Sequence, residues 1–488
     1  MIALEARLAI VLMASSGLLP VTATAQESPI GTTDPLTQDE MLVADGQIYA
    51  KTYGVSLQEA MRRILVMNDT SESVDALTGE FTGQIGGQYF THGADFGLKM
   101  RLTGKEKREN RRILGSQATR QQRQSARQAE KLAARDAKVA QRQAARRAKL
   151  GITDSEIALA ETVLDQPIAA DVQFLSDAPV DRDTVIQTVS SKFSEIQSQI
   201  PNVDGIGYDE RQGAVIVTVV GAEGSVTATS KNVIAALFPV PVKYEYVARH
   251  LGVTAATGGT PNTNNASGQL WCTNAFVGYD SANRPGLFSA SHCRFSGTGS
   301  APASVGMSYV DTDGKSYILS ADSNLSAFTT HHDMLFMSFP SSLLPSNQFF
   351  ADKGTAARVL TGRRTMTSTT AKVGTTTAGS WVCFYGRTTG PVSGQSCGEV
   401  VSKGDVIPLQ TSDAGMTASS GTSYYVKVQA PTATMKCAGG DSGAPWFSLS
   451  IAFGTMSRCG ENYGGGSNTV AYYTSMDAAY AKSYRLGY

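Results

Sequence analysis

All six cysteines of this 488-residue chain, at positions 272, 293, 383, 397, 437 and 459, lie beyond residue 271. A cross-linked half and a thiol-free half obey different folding rules, so this distribution divides the chain in two. An even cysteine count reads as a disulfide framework when the compartment is oxidising. The N-terminus supplies that context: Arg7 precedes an apolar run over 8–19, and Ala23-Thr24-Ala25 has the small-x-small pattern of signal-peptidase cleavage. A membrane span needs about 20 apolar residues. Residues 1–25 are therefore read as a signal peptide and not as a membrane anchor. The mature chain is expected to open near Gln26 and to be secreted, extracellular or periplasmic. Six cysteines allow about 15 pairings, and reading in order gives Cys272–Cys293, Cys383–Cys397 and Cys437–Cys459. Each such local loop would add roughly 3 kcal/mol by restricting the unfolded chain.

Ahead of the first cysteine the texture changes several times. Within 26–104, Ala44, Ile48, Tyr49, Leu57, Ala60, Met61 and Leu65 recur at three- and four-residue spacings, and Gly54 divides them into two short helices. Over 105–149, 15 basic residues stand against 4 acidic ones with few helix breakers, which predicts a solvated basic helical segment, a connector or hairpin, inside 105–183. Lys+Arg and Asp+Glu both number 42, so net charge names no partner. A basic face of this kind can bind nucleic acid, but export removes that partner and no stacking aromatics are interleaved, so no nucleic-acid role is expected.

Residues 184–250 read as a small α+β unit: a helix over 185–200, an alternating strand over 213–220, a helix-compatible stretch over 229–238 and a strand over 242–247. A Gly/Thr/Asn-rich linker fills 251–268. From 269 to 488 the chain is all-β, with short Val-, Tyr- and Thr-rich runs between Gly, Ser and Asn clusters and no sustained helix before about Met476.

Within that all-β part lies Gly439-Gly440-Asp441-Ser442-Gly443-Ala444-Pro445. A serine hydroxyl becomes a nucleophile when an imidazole takes its proton, a carboxylate fixes the imidazole tautomer and backbone donors await the oxyanion. Histidine occurs at 92, 250, 292, 331 and 332, and only His292 sits beside a cysteine, in Ala290-Ser291-His292-Cys293. Asp333 opens the apolar run Met334-Leu335-Phe336-Met337, a pattern that sets an acid at the mouth of a buried strand. Asp311, Asp313 and Asp322 compete for the role, but they stand in loop-like Ser/Asp/Gly surroundings, and His331 and His332 read as exposed loop positions. No histidine follows His332, so the order serine, acid, histidine of α/β-hydrolases is impossible. A subtilisin order would need its acid before His292 and a doubly wound sheet that the texture does not offer. No helical His-x-x-x-His pair is present, and neither metal nor cofactor is expected.

Cys272 with Ser291-His292-Cys293, Asp333, Val382-Cys383 with Gly386-Arg387-Thr388-Thr389-Gly390, and Cys437 through Gly443 together resemble the bacterial chymotrypsin-like serine proteases of the streptogrisin and α-lytic type, over about 255–488. The resemblance implies two six-stranded antiparallel β-barrels, with His292 as general base, Asp333 as its orienting acid, Ser442 as nucleophile and the amides of Gly440 and Ser442 as oxyanion hole. Ser457, in Gly454-Thr455-Met456-Ser457, matches a serine that supports the acid and lines the cleft. Tyr49 to Ser56 with Glu59-Ala60-Met61-Arg62-Arg63 is similar to the start of that family's pro-region. The N-terminal half is then an α+β pro-region, a folding aid and inhibitor removed by cleavage within 249–268, and the basic segment is a departure from the family pattern. Protein or peptide substrates and a monomeric product follow from the resemblance; the alternative is a catalytically silent protease-like binding protein. Ala444-Pro445 departs from the family's small residues, and Lys436, Met456 and Arg458 are candidates to approach the specificity pocket.

Overall fold

The computed structural model describes residues 35–247 and most of 261–487, leaving out 265–269, 295–306, 311–315, 326, 341–347, 353–361, 366–375, 409–415, 432–434 and 461–469. The expected signal peptide, 1–25, and most of the expected 251–268 linker lie outside the described residues. The two helices expected around Gly54 are α1 (Gln38–Tyr53) and α2 (Leu57–Asp69). Thr37 and Glu40 form a capping box at the start of α1, Gly54 ends it in the left-handed region at φ 65°, and Ser56 caps α2 through the amide of Glu59. After α3 (Ser71–Glu80), β1 (Ile85–Thr91), β2 (Gly97–Thr103), β3 (Arg111–Leu114) and β4 (Ala169–Ala178) form a sheet ordered β1-β2-β4-β3.

The basic segment is largely exposed and helical, with a strand at its start and three buried cations. It begins as strand β3 and continues as a hairpin of α4 (Gln117–Ala133) and α5 (Ala137–Leu150), with the Asp136 carboxylate capping the second helix, before α6 (Asp154–Asp165). Most of its cations are exposed, but Arg123, Arg127 and Arg146 are buried. Arg123 binds Asp69 (2.7 Å), Arg127 binds Asp165 (2.7 Å) and Arg146, fully buried, binds Glu40 (2.5 Å). Within a run of like charges that stays mostly solvent-directed, these three are matched by acids from α1, α2 and α6, far away along the chain.

The next unit holds α7 (Arg182–Gln199), β5 (Val203–Asp209), β6 (Ala214–Val220), α8 (Ala228–Ala235) and β7 (Val242–Val247). Val185, Val189, Phe193 and Ile196 of α7 pack on Ile206, Val215, Val217 and Val219. Strands β5 and β6 pair antiparallel, β6 and β7 parallel.

Beyond residue 261 two antiparallel rings close. The first runs through β8 (Pro261–Asn264), β9 (Leu270–Tyr279), β10 (Pro285–Ser289), β11 (Met307–Val310), β12 (Ser316–Ala321) and β14 (Asp333–Ser338), with the short β13 (Ala327–Phe328) on β14 and closure through β9 and β10. A ribbon of β15 (Gln348–Asp352) and β16 (Gly362–Thr365) follows. The second ring comprises β17 (Trp381–Phe384), β18 (Ser396–Asp405), β19 (Tyr425–Gln429), β20 (Pro445–Ser448), β21 (Ile451–Gly460) and β22 (Val470–Ser475), closed through β17 and β18. Two short helices, α9 (Gly390–Ser393) and α10 (Asp477–Tyr480), precede β18 and the last strand β23 (Arg485–Leu486), which returns to β9 of the first ring. Closing each sheet removes its open edges. Cys272–Cys293, Cys383–Cys397 and Cys437–Cys459 are bonded, and among the described residues no cysteine is free.

The N-terminal half is fused to the second ring. Ser402 of β18 stands opposite Asp209 of β5, and Ile206 and Val406 exchange amide bonds at 3.2 and 3.0 Å, so one sheet of nine strands continues from the ring into β5, β6 and β7. Buried charge lines this seam: Lys403 with Glu210 (3.3 Å), Glu399 with Arg211 (2.5 Å) and Tyr53, and Arg364 with Asp45 (2.7 Å). Trp381 packs against the rings of both Tyr49 (5.3 Å) and Tyr53 (5.5 Å), which are themselves 4.4 Å apart. Aromatic burial of this kind is worth roughly 2–3 kcal/mol per side chain, so the seam is an apolar core as well as an ionic one.

Candidate active site

His292 sits on the single 3-10 turn Ser291–Arg294 that follows β10, and the bridge from Cys293 to Cys272 ties this turn to β9. Asp333 is the first residue of β14 and is wholly buried. The two meet twice. The His292 amide donates to Asp333 Oδ1 at 3.0 Å, and ring Nδ1 lies 2.5 Å from Oδ2. Ser457 Oγ, from β21, donates to the same Oδ2 at 2.6 Å, and the amide of Asp333 donates to Thr474 Oγ1 at 2.9 Å. Burial alone would push this carboxyl up, but the adjacent imidazole and the bonds from His292 and Ser457 outweigh it and hold Asp333 below its ordinary range. With Nδ1 engaged by the acid, Nε2 is the ring atom left to act. It is buried and has no hydrogen-bond partner among the described residues.

Ser442 stands on the turn between β19 and β20, where Gly440 (φ 106°) and Gly443 (φ 81°) take left-handed conformations that a side chain would strain. Packing forbids a substituent at Gly443 as well: a Cβ there would lie 2.1 Å from Thr273 O, 2.4 Å from Ser289 Oγ and 3.0 Å from the Ala290 amide. This close approach lays the turn against the residues just before His292. Thr273, next to bridged Cys272, donates its amide to Ser442 O at 2.6 Å, and Ser289 Oγ donates to Thr273 O at 2.6 Å.

The neighbouring Asp441 has a role that sequence reasoning missed. Its Oδ1 accepts the amides of Thr388 (3.0 Å) and Thr389 (3.2 Å), and its Oδ2 accepts Thr389 Oγ1 (2.8 Å) and the Ala438 amide (2.9 Å). Gly386 makes room, since a Cβ there would fall 2.0 Å from Asp441 Oδ1. The Gly-Arg-Thr-Thr-Gly run therefore docks on the serine turn. Burial pushes the Asp441 carboxyl up to about 6 despite these donors.

One expectation needs correction. His331 and His332 are not exposed loop positions: His331 is buried, with Nε2 3.1 Å from Ser190 Oγ of α7 and Nδ1 2.8 Å from Thr330 Oγ1, and burial pushes His332 down to about 4. The covering helix comes from the N-terminal half, which local sequence does not reveal. Of the pocket candidates, Lys436 is exposed, Met456 packs in the core of the second ring, and Arg458 is buried with its guanidinium carbon 5.7 Å from the Phe328 ring centroid. Among the competing acids, Asp322 pairs with Arg284 (3.5 Å), whereas Asp311 and Asp313 lie outside the described residues.

No family model and no curated protein matches the chain. Similar solved structures are a Nocardiopsis protease (17% identity, 48% of this chain and 99% of that one, TM-score 0.34), Thermobifida fusca protease A (20%, 48% and 98%, 0.32) and a Cellulomonas bogoriensis chymotrypsin (17%, 48% and 98%, 0.31).

Proposed function

We propose that the chain is a secreted serine endopeptidase, made as a pro-enzyme and acting through an acyl-enzyme. The observation that carries this reading is the double link of His292 to Asp333, which leaves Nε2 as the ring atom to act, together with the packing of the Ser442 turn at Gly443 on Thr273, Ser289 and Ala290 just before His292. In the first step Nε2 takes the proton of Ser442 Oγ as the oxygen attacks the scissile carbonyl. Asp333, already an anion, stabilises the imidazolium, and Ser457 holds the carboxylate in place. The carbonyl oxygen becomes an oxyanion between the amides of Gly440 and Ser442, each donor of this kind lowering the barrier by roughly 3–4 kcal/mol. His292 returns the proton to the leaving amine, and water then repeats the cycle on the ester.

Residues 26–250 act in this reading as the pro-region, folding aid and inhibitor in one. Support comes from β5 extending the second ring beside β18 and from the buried ion pairs that line this seam. Three disulfides and a candidate signal sequence support export. Among the described residues no helix is long and apolar enough to cross a membrane.

The test compares wild type with Ser442→Ala, both expressed from the full chain. Fluorophosphonate labelling at residue 442, together with a new N-terminus between 249 and 268, is expected in the wild type and not in the variant. A processed wild-type protein that does not label would leave the silent, binding-only reading instead.

A further inference from the structure

The buried Arg123, Arg127 and Arg146 fix the α4–α5 hairpin on the N-terminal half, while most of its remaining cations face solvent. Arg135, Lys138 and Lys149 are exposed and have no ion-pair partner among the described residues. Lys138 and Lys149 stand eleven residues apart on α5, about three helical turns, so they share one face, with exposed Arg142 between them. The carboxylates of the hairpin and of α6 beside it are already engaged. Glu130 accepts the Gln38 amide (3.3 Å), Asp136 caps α5 through the Lys138 amide (2.8 Å), Glu161 pairs with Lys131 (2.9 Å) and Asp165 with Arg127 (2.7 Å). In the last turn of α4, just before the hairpin tip, Leu132 is 63% exposed, one of four large apolar side chains so exposed among the described residues. Ala133 and Ala137, also exposed, add no bulk that would hold the tip away from a partner.

One exposed leucine is ordinary on a protein surface. Its place among cations that lack counter-charges is what selects a partner. An anionic lipid surface meets both features: its phosphates raise affinity by about fivefold for each Lys or Arg brought to it, and the boundary between headgroups and acyl chains takes up an apolar side chain. A hydrated polyanion meets only the first, because it leaves the leucine in water. A few cations and one leucine give reversible docking in the interfacial plane, not insertion across it.

We propose that the tip and outer face of the hairpin, Leu132 with Arg135, Lys138 and Lys149, dock reversibly on an anionic phospholipid bilayer. The candidate signal sequence directs the chain across such a membrane, and the hairpin holds it at the surface. On the pro-enzyme reading the hairpin departs with residues 26–250, so cleavage within 249–268 also frees the protease from the surface. Lipid binding itself does not rest on that reading.

The experiment uses the full chain carrying Ser442→Ala, which stays unprocessed on the proposed mechanism. Its sedimentation is measured with vesicles of phosphatidylcholine alone and of phosphatidylcholine and phosphatidylglycerol in equal parts, and its retention is measured on heparin. Affinity for the anionic vesicles is expected to exceed that for the neutral ones by about 10-fold or more and to fall as salt is raised. Adding Arg135→Glu and Lys138→Glu together should lower binding to anionic vesicles by about 20-fold or more, since two attractions are lost and two repulsions gained. Adding Leu132→Ser instead should lower it by about threefold to tenfold and change heparin retention by less than about twofold. All three positions are exposed, and an unchanged Tm checks that each variant is folded. No binding to either vesicle, equal binding to both, or undiminished binding by the doubly reversed variant overturns the proposal. Heparin retention without vesicle binding, or Leu132→Ser binding anionic vesicles as its parent does, also overturns it and points to a soluble polyanion as the partner. None of these measurements draws on peptidase activity, so their failure leaves the proposed function standing.

Discussion

Asp333 and Asp405 are both buried acids on strands of the two rings, at 0% and 1% exposure, yet their surroundings drive them in opposite directions. Burial pushes each carboxyl up. At Asp333 the adjacent imidazole and three donated hydrogen bonds outweigh it, and the group is held below its ordinary range. At Asp405 burial wins, and the carboxyl is pushed up to about 7 in spite of Lys427 and the bond from Ser402 Oγ (2.9 Å). The donors of Asp333 all come from the two rings. Asp405 instead lies beneath the N-terminal half: a Cβ at Gly207 of β5 would fall 2.3 Å from its Oδ1, and the ammonium of Lys427 is drawn to Glu245 of β7 at 2.9 Å. A buried acid becomes a dependable anion when its own domain supplies the donors. The seam acid is covered by a segment that brings desolvation and a competing carboxylate. On the proposed function, the first arrangement suits a permanent part and the second a removable one.

The sharpest break of that contrast is exchange of each acid for its amide. Asp333→Asn should lower kcat by about 10³–10⁴-fold, because an amide can present N–H to Nδ1 and favour the wrong imidazole tautomer. Asp405→Asn should leave kcat of the processed enzyme within about twofold. Steady-state kinetics on one peptide substrate decides, and a loss smaller than tenfold in Asp333→Asn would remove Asp333 from the mechanism. Ser457→Ala should cost less, about 10-fold, since one of three donors to the carboxylate is lost while the imidazole contact remains.

This contrast was only half legible in the sequence. Asp333 could be read because its signal is local, an acid opening the run Met334 to Met337, and because the scarcity of histidine leaves His292 few rivals. The helices flanking Gly54 were legible for the same reason, as their caps and breaker lie within a few residues of one another. Asp405 gave no such signal. Its state depends on Gly207, Tyr472 and Glu245, which the fold gathers from both halves of the chain. The burial of Arg146 on Glu40, 106 residues away, and of His331 under α7 escaped for the same physical reason. Period and composition report which face of an element is apolar, but not which distant charge neutralises a polar one. Asp441 is intermediate: Thr388-Thr389 stood out as a run, while the carboxylate they serve is distant in sequence.

A smaller effect concerns pH. The folded-state pKa of Asp405 is raised from 3.8 to about 7, so the stability associated with this carboxyl is fully present below the unfolded value and is lost as pH rises through about 7. Asp405→Asn cannot ionise and should not show that loss. In the full-length Ser442→Ala background, which prevents self-cleavage on the proposed mechanism, the added Asp405→Asn change should raise Tm by about 2–4 °C at pH 8 and by less than about 1 °C at pH 4. Equal Tm differences at the two pH values would show that Asp405 does not titrate across this range.

The smallest effect lies in the partner that draws Lys427 away. Glu245 is 45% exposed on β7, so solvent screens its pair with Lys427, and Glu245→Gln should destabilise the full chain by less than about 1 kcal/mol, with the loss shrinking at high salt. Its informative consequence appears at Asp405. Glu245 is one of the charges that raise the Asp405 pKa, and Lys427 is one that lowers it. Removing the Glu245 charge therefore strengthens the hold of Lys427 on Asp405, and the carboxyl should ionise at lower pH. The Tm-against-pH profile of Glu245→Gln, compared with its parent in the Ser442→Ala background, should keep its shape while its midpoint moves to lower pH. An unmoved midpoint would mean that burial under β5 alone sets the state of Asp405, and that the competing carboxylate of the N-terminal half contributes nothing to the difference from Asp333.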